Sequence, residues 1–447
     1  MTDVLYTGYG VKVGIIENLY PDNCLNFNAG LYEMSEYCNN CFYDFTIGVD
    51  SHASIVGSII GGSTGIASDA YLMFIHNVCY SGNTTEHFEV LINNDANIIN
   101  CSFGSGNATY LAKSAYYDTL VRNTHVSMFV SSGNDDVNKY VTDAGTALNV
   151  ITVGSCNVNK QVSYFSSYVS SYCNKPDIVA PGENLDFIGS YNNATGTSFS
   201  SPFATGICAL LMEEYPFLKL YPEIVKTVLK ASANKLPTQI DKSDDQWGYG
   251  IINYQNARAY LDTLITNCSF QVFNTPANAN NGDLIKALYL YLPGQSEINI
   301  YGLWNSMNET LTYEGSTPLT PNYSDYIIYL NDTTNNNLLT INSTNNSCIG
   351  KYINNLNYEL YCSILIYLNS QKCTNNAERG VISFEILNHS HYYTDNYVYF
   401  NTIKHKSYCE CNLYILEMHT FTAMGRYKIC NYCGYTIDLW NDPNPYD

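Results

Sequence analysis

The stretch GTSFSSPFATGICALLMEEYP, residues 196–216, sets Ser198 ahead of an apolar periodic run that reads as a helix. Pro202 falls in the first turn, where N–H groups lack helical partners and proline is tolerated. A serine at a helix start is well placed for a nucleophile, because free N–H groups and the helix dipole favour developing negative charge. Taken alone it is an N-cap, the ordinary role of serine before a helix. Glu17 also asks for a reason. It ends the apolar run Val11–Ile16 of VKVGIIENLY, and a carboxylate closing a buried strand is costly unless it is paired or working.

The third group is sulfur. Cys409, Cys411, His419, Cys430 and Cys433 lie in YCECNLYILEMHTFTAMGRYKICNYCGY, with His405 just upstream. Cys-X-X-Cys followed by Gly434 has the shape of a knuckle, and Cys-X-Cys can put both sulfurs on one side of a strand. Tetrahedral ligation by four thiolates, or by three thiolates and one imidazole, suits Zn2+. About fifty residues hold a core poorly unaided, so a metal staple makes sense. Structural Zn2+ on Cys409, Cys411, Cys430 and Cys433, with no catalytic part, is favoured over two disulfides or free thiols. Cys38 and Cys41 do not open a helix after a strand as a redox pair does, and read as a loop staple or plain thiols. Cys101, Cys156 and Cys208 read as small buried residues.

The elements that must position these groups alternate up to about residue 262. Short β-type runs (Val11–Ile16, Tyr71–Ile75, Asn97–Cys101, Val126–Val130, Val150–Val153) are separated by segments of helical length and period (His52–Ile60, Tyr110–Arg122, Phe199–Met212, Pro222–Lys230). Such alternation argues for βαβ units and a parallel sheet, with chemistry at the carboxyl ends of the strands. From about residue 263, Asn, Thr, Tyr and Ser dominate, with alternating runs YIIYL (326–330), YCSILIYL (361–368) and GVISFEIL (380–387). That texture suggests a β-sandwich. The expected organisation is an α/β domain over 1–264, a β-rich accessory domain over 265–395 and a Cys/His-rich unit over 396–447.

Composition narrows the function. With 447 residues, two or three domains are expected. Acidic residues outnumber basic ones by 40 to 20, a net charge of −20, which argues against nucleic acid as partner. The sequence holds no run of 18 apolar residues, the length needed to span a membrane. The N-terminus MTDVLYTGYG has no basic or apolar leader region. As written the chain is expected in the cytoplasm, or outside the cell if an upstream segment is missing. The acidity leaves room for structural Ca2+, although no ligand loop can be named.

The string Gly196-Thr197-Ser198-X-Ser200-X-Pro202 resembles the nucleophile motif of the subtilisin-like serine peptidases, the subtilases. Other segments follow in that family's order. VKVGIIEN resembles the strand of the triad acid, and DSHASIVGSIIGG (50–62) the histidine motif. NIINCSFG (97–104) resembles the substrate-binding strand, FVSSGND (129–135) the segment of the oxyanion asparagine, and DQWGYGIINYQNA (245–257) the closing segment. The resemblance covers roughly residues 8–262 and implies a subtilisin-like parallel sheet flanked by helices. It also implies a peptidase acting on peptide or protein substrates without a catalytic cofactor. Relatives generally carry a folding prosegment, and only about ten residues precede the first strand here.

The resemblance implies roles residue by residue. Ser198 is the nucleophile and needs an adjacent base. His52 is the candidate, since it opens an apolar helix at a strand-to-helix edge. His76 and His125 read as structural, and His87 as solvated at a polar helix start. Asn134 would donate its side-chain N–H to the oxyanion, although Gly133-Asn134-Asp135 also reads as a turn with Asn134 left-handed. Ser102, Phe103 and Gly104 would pair with the substrate backbone, glycine allowing close approach. The family has Asp where this chain has Glu17, followed by Asn18 and Leu19. Glu offers the same group on a longer arm and is favoured as triad acid over Asp22, with Asp44 and Asp50 also preceding His52. Loss of the acid would instead leave an impaired enzyme, a pseudopeptidase that binds peptides or partners.

Overall fold

The computed structural model describes residues 6–17, 32–33, 51–62, 64–76, 84–185, 193–235, 246–266, 269–307, 317–370, 378–388, 393–399, 404–409, 414–418, 421–424, 427–430 and 436–438. The first half is a seven-stranded parallel sheet. Its strands are β1 (Lys12–Glu17), β2 (Tyr32–Glu33), β3 (Tyr71–His76), β4 (Ile98–Cys101), β5 (Ser127–Ser131), β6 (Ile151–Cys156) and β7 (Ile178–Pro181), in the order β2-β3-β1-β4-β5-β6-β7. Helices α1 (Ser51–Gly61), α2 (Thr84–Asn93), α3 (Ala112–Thr124), α4 (Thr197–Glu214), α5 (Pro222–Ser232) and α6 (Tyr254–Thr266) complete it.

Both faces of the sheet are covered, so its strands are apolar on both sides. Val13, Ile15, Leu72, Phe74 and Phe129 join the core that holds α1, α4, α5 and α6. Their strand neighbours Ile16, Met73, Ile75, Met128 and Val130 join the core under α2 and α3. This alternation is the period-2 geometry of a strand expressed between two helical layers. His87 corrects the sequence expectation of a solvated ring: it is 1% exposed. It lies four residues before Leu91 on α2, which places both on the inward stripe.

The strand order reverses beside β1, which pairs with β3 on one side and β4 on the other. Crevices of this kind open at strand carboxyl ends. Glu17 ends β1 and Ser102 follows β4, so both reach the crevice.

Beyond α6 two four-stranded antiparallel sheets face each other. One has the order β13-β10-β15-β8 and the other β12-β11-β14-β9. The strands are β8 (Phe270–Thr275), β9 (Leu284–Leu292), β10 (Ser296–Trp304), β11 (Asp325–Asp332), β12 (Asn337–Asn342), β13 (Ser347–Asn354), β14 (Leu360–Ser370) and β15 (Glu378–Asn388). Tyr326, Ile328 and Leu330 of β11 alternate inward with Ile364, Ile366 and Leu368 of β14. Two small three-stranded sheets follow: β16 (Tyr393–Tyr399), β17 (Lys404–Cys409) and β18 (Tyr414–Met418), then β19 (Phe421–Met424), β20 (Tyr427–Cys430) and β21 (Thr436–Asp438). Cys409 ends β17 and Cys430 ends β20, in separate sheets, whereas Cys411 and Cys433 lie outside the described residues. Cys38 and Cys41 also lie outside them.

The sandwich packs directly on the α/β unit. Tyr301, Leu303 and Val381 belong to the same apolar cluster as α5 and α6. Buried Glu223 of α5 receives hydrogen bonds from Asn305 Nδ2 at 2.7 Å and Arg379 Nε at 2.6 Å. Arg379 also meets His125 Nδ1 at 2.9 Å. Burial, together with the Arg379 charge, holds His125 below the usual imidazole range, which suits a structural histidine.

Glu378 carries a pH signature. It is 1% exposed, with Ser324 N–H donating to Oε1 at 2.9 Å and Tyr326 O–H donating to Oε2. Burial outweighs these bonds and raises its carboxyl from 4.5 to about 7. The folded state therefore holds a proton that the unfolded chain releases at lower pH. The associated stability is full below about 4.5 and is lost as pH rises through about 7. A shift of this size corresponds to about 3 kcal/mol. Glu378→Gln, neutral at all pH, should remove this component. The difference in thermal stability between wild type and variant, followed from pH 4.5 to 8, checks it.

Candidate active site

Glu17 and His52 meet. Glu17 Oε2 lies 3.0 Å from His52 Nδ1, with side-chain exposures of 3% and 33%. β1 delivers the carboxylate at its carboxyl end and α1 delivers the imidazole in its first turn. A carboxylate accepting from Nδ1–H fixes the imidazole tautomer that leaves Nε2 as a base. Asp22, Asp44 and Asp50 lie outside the described residues. The His52 ring packs against Phe199, centroids 5.4 Å apart, so it stands beside the residue following Ser198.

Ser198 is the second residue of α4. Its hydroxyl donates to the Ser102 carbonyl at 3.0 Å, and the Ser102 hydroxyl donates to the Ser198 carbonyl at 2.8 Å. The second bond follows from Pro202, which is the sixth residue of α4 and so lies past the first turn expected of it. Lacking an N–H, Pro202 cannot take the carbonyl four residues back, which is that of Ser198. Ser102 supplies the missing donor. Behind it Asn100 Nδ2 donates to Ser102 Oγ at 3.0 Å, while Ser201 and Thr205 hydroxyls donate to Asn100 Oδ1 at 2.8 and 3.2 Å. This buried network fixes the start of α4 against the end of β4. The sequence reading missed Asn100, Ser201 and Thr205. The signal was available: an asparagine inside the apolar strand IINC needs partners.

Asn134 is oriented by chemistry. Its Oδ1 accepts from Thr197 N and Thr197 Oγ1, each at 2.9 Å. Thr197 Oγ1 in turn accepts from Gly133 N at 3.1 Å. The donors of Thr197 demand the oxygen of the amide, so the exposed Asn134 side chain presents Nδ2 outward. The turn expected at residues 133–135 falls instead at 136–138, and Gly133, not Asn134, carries a positive φ, +113°.

Gly196 marks where two donors converge. Its φ is +154°, and a Cβ built on it would lie 3.3 Å from Asn134 Nδ2 and 3.8 Å from Ser198 N. Both nitrogens therefore border the space that the missing side chain leaves at Gly196. Gly104 is also closely packed. At φ +154° its absent Cβ would meet Thr142 Cβ at 2.7 Å, so this glycine permits close packing inside the chain. Ser102 is buried and Phe103 half-buried at the crevice edge. The thiol of Cys101, beside Glu17, is pushed up by burial and by that carboxylate. Cys101, Cys156 and Cys208 are all buried free thiols. Among the described residues no three His, Cys, Asp or Glu gather as a metal site.

The family model of the subtilases, Peptidase_S8, matches residues 9–250. The chain belongs to the subtilase family. Its relatives include the minor extracellular protease Epr of Bacillus subtilis, 25% identical over 268 residues, a match covering 56% of this chain and 38% of the relative. Alkaline protease 1 of Aspergillus flavus is 31% identical over 180 residues, covering 36% of this chain and 42% of its own length. The chain thus spans less than half of these relatives. Among solved structures, the prenylagaramide maturation protease PagA aligns at 24% identity and TM-score 0.45 over 55% of this chain and 92% of its own. The subtilase unit is the parallel sheet with its helices. The antiparallel sheets lie beyond the matched residues. No helix among the described residues is long and apolar enough to cross a membrane.

Proposed function

We propose that this subtilase is an active serine endopeptidase using Glu17, His52 and Ser198. The contact that carries the reading is Glu17 Oε2 to His52 Nδ1, 3.0 Å. In the resting chain the Ser198 hydroxyl points to Ser102 O. For catalysis it must turn about its Cα–Cβ bond toward His52 Nε2. The Ser198 oxygen then attacks the peptide carbonyl carbon as His52 takes the hydroxyl proton. Glu17 keeps the resulting imidazolium oriented and stabilised. Asn134 Nδ2 and the Ser198 N–H donate to the oxyanion in the space beside Gly196. Collapse expels the amine, which receives the proton from His52. Water then cleaves the acyl-enzyme along the same path in reverse roles.

A longer acid arm fits this scheme because it changes reach and not chemistry. The test is labelling by a fluorophosphonate probe, with the modified residue located by mass spectrometry. Modification at Ser198 of the folded chain is the expected result. A folded chain that stays unlabelled would overturn the reading in favour of a peptide-binding pseudopeptidase. Asn134→Ala should lower kcat by about 10² to 10³, with little change in KM, measured by steady-state cleavage of a chromogenic peptide.

A further inference from the structure

At the opposite end of the strands from the candidate active site lies a cavity of about 220 Å3. One wall is formed by Lys175, Asp177 and the α5 residues Lys226 and Lys230. The opposite wall is the turn from β12 to β13, residues 342–347. Asp177 precedes β7, at the amino end of the strands, whereas Glu17 and Ser102 lie at the carboxyl ends. The cavity is therefore separate from the peptidase chemistry and independent of that reading.

Its charge does not balance. Three lysines face one carboxylate, and no other charged side chain lines it among the described residues. In a chain of net charge −20 this is a local inversion. Hydrogen-bond accounting locates the surplus. Lys175 Nζ donates to Asp177 Oδ2 at 2.8 Å, Thr152 Oγ1 at 2.9 Å and Val150 O at 3.4 Å. Lys226 Nζ donates to Leu148 O at 2.7 Å and Val150 O at 2.8 Å, and pairs with Asp177 Oδ1 at 3.0 Å. Each has used three donors. Lys230 has not. Its Nζ stands 3.7 Å from Asp177 Oδ1, beyond a good hydrogen bond, and 4.3 Å from the Tyr249 ring centroid, with the Tyr249 side chain its one hydrogen-bond partner among the described residues. Its side chain is only 12% exposed.

Asp177 cannot neutralise the cluster, since its oxygens already serve Lys175, Lys226 and the Thr152 N–H. Burial alone would raise its carboxyl, but Lys175, Lys226 and Lys230 together hold it below the usual range. Burial brings Lys226 down to about 7 even with Asp177 beside it. Lys230 stays charged, because Tyr249 and Asp177 outweigh its burial and raise its ammonium, so an anion in the cavity would meet a full positive charge there. The facing turn offers a neutral donor. Asn345 accepts from Tyr323 O–H through Oδ1 at 3.3 Å, which leaves its NH2 as the end open to a ligand.

We propose that this cavity binds a small multivalent oxyanion, phosphate or polycarboxylate in type, through Lys230 of α5 and Asn345 of the sandwich. The volume exceeds the roughly 30 Å3 of one water several-fold and accommodates either kind. Bound there, the anion ties the subtilase unit to the sandwich and stabilises their contact.

The test is calorimetric titration of the full chain with inorganic phosphate and, separately, citrate. The ionic strength is fixed with sodium chloride, and thermal unfolding is followed in parallel. Saturable 1:1 binding of at least one anion is expected, with a melting temperature that climbs with the logarithm of its concentration. Lys230→Met should weaken binding at least tenfold and Asn345→Gly, which keeps the left-handed backbone, several-fold. Lys230→Arg should retain binding, and Lys351→Met on exposed β13 should leave it unchanged. Multivalent anions also stabilise proteins by exclusion from their surface, but that effect does not saturate and would persist in Lys230→Met. Binding by phosphate alone assigns a tetrahedral oxyanion, and by citrate alone a carboxylate. No saturable binding of either, or equal binding by wild type and both weakening variants, overturns the proposal.

Discussion

Ser198→Ala should lower kcat for peptide hydrolysis by about 10⁶, the scale set by loss of a nucleophile whose partners act as a unit. The residue left behind cannot form an acyl-enzyme, so only the oxyanion donors and binding remain to assist water. Folding should hardly suffer. The Ser198 hydroxyl makes one hydrogen bond, to Ser102 O, on a half-buried side chain. The carbonyl bond that anchors the helix start comes from Ser102 and is kept. Steady-state turnover of a peptide substrate beside a melting curve separates the two. A variant that melts normally yet retains more than a thousandth of wild-type kcat would contradict the role of Ser198.

The second large effect is expected at Glu17. Glu17→Gln preserves shape but presents an amide whose N–H favours the imidazole tautomer with its proton on Nε2. That tautomer cannot accept from Ser198, and kcat should drop by about 10⁴. Glu17→Asp restores the charge but withdraws it by about one bond length, roughly 1.5 Å, from a contact now 3.0 Å long. Labelling at Ser198 should survive in this variant at a reduced rate, between wild type and Glu17→Gln. The double variant Ser198→Ala with Glu17→Gln should be no worse than Ser198→Ala, because an orienting acid has nothing to act on once the nucleophile is gone. Rates of probe labelling across the single variants, together with kcat of the double, check the series.

Much of this was legible from the chain. The apolar runs around Ile15, Phe74, Ile99 and Phe129 announced strands buried on both faces, and the motif from Gly196 to Pro202 announced the helix start. What was not legible was mostly non-local. Glu17 and His52 are 35 positions apart, and no local pattern says that β1 and α1 bring them within 3.0 Å. His87 looked solvated because its neighbours Thr84, Thr85 and Glu86 are polar, while its partner on the inward stripe is Leu91. β7 was missed since IVAP is short and ends on proline. Lys226 and Lys230, one turn apart on α5, resemble a solvated face until Asp177 and the sandwich close over them.

The shared packing of Tyr301, Leu303 and Val381 with α5 and α6 bears on cooperativity. A module on a leash melts separately from its neighbour. Here the apolar cluster runs without interruption from the parallel sheet into the sandwich, with Glu223 and Arg379 enclosed at the seam. Parting the halves would bare both the cluster and that ion pair to water. The sandwich is thus a buttress, and a chain cut after α6 would lose part of the core of the half it keeps.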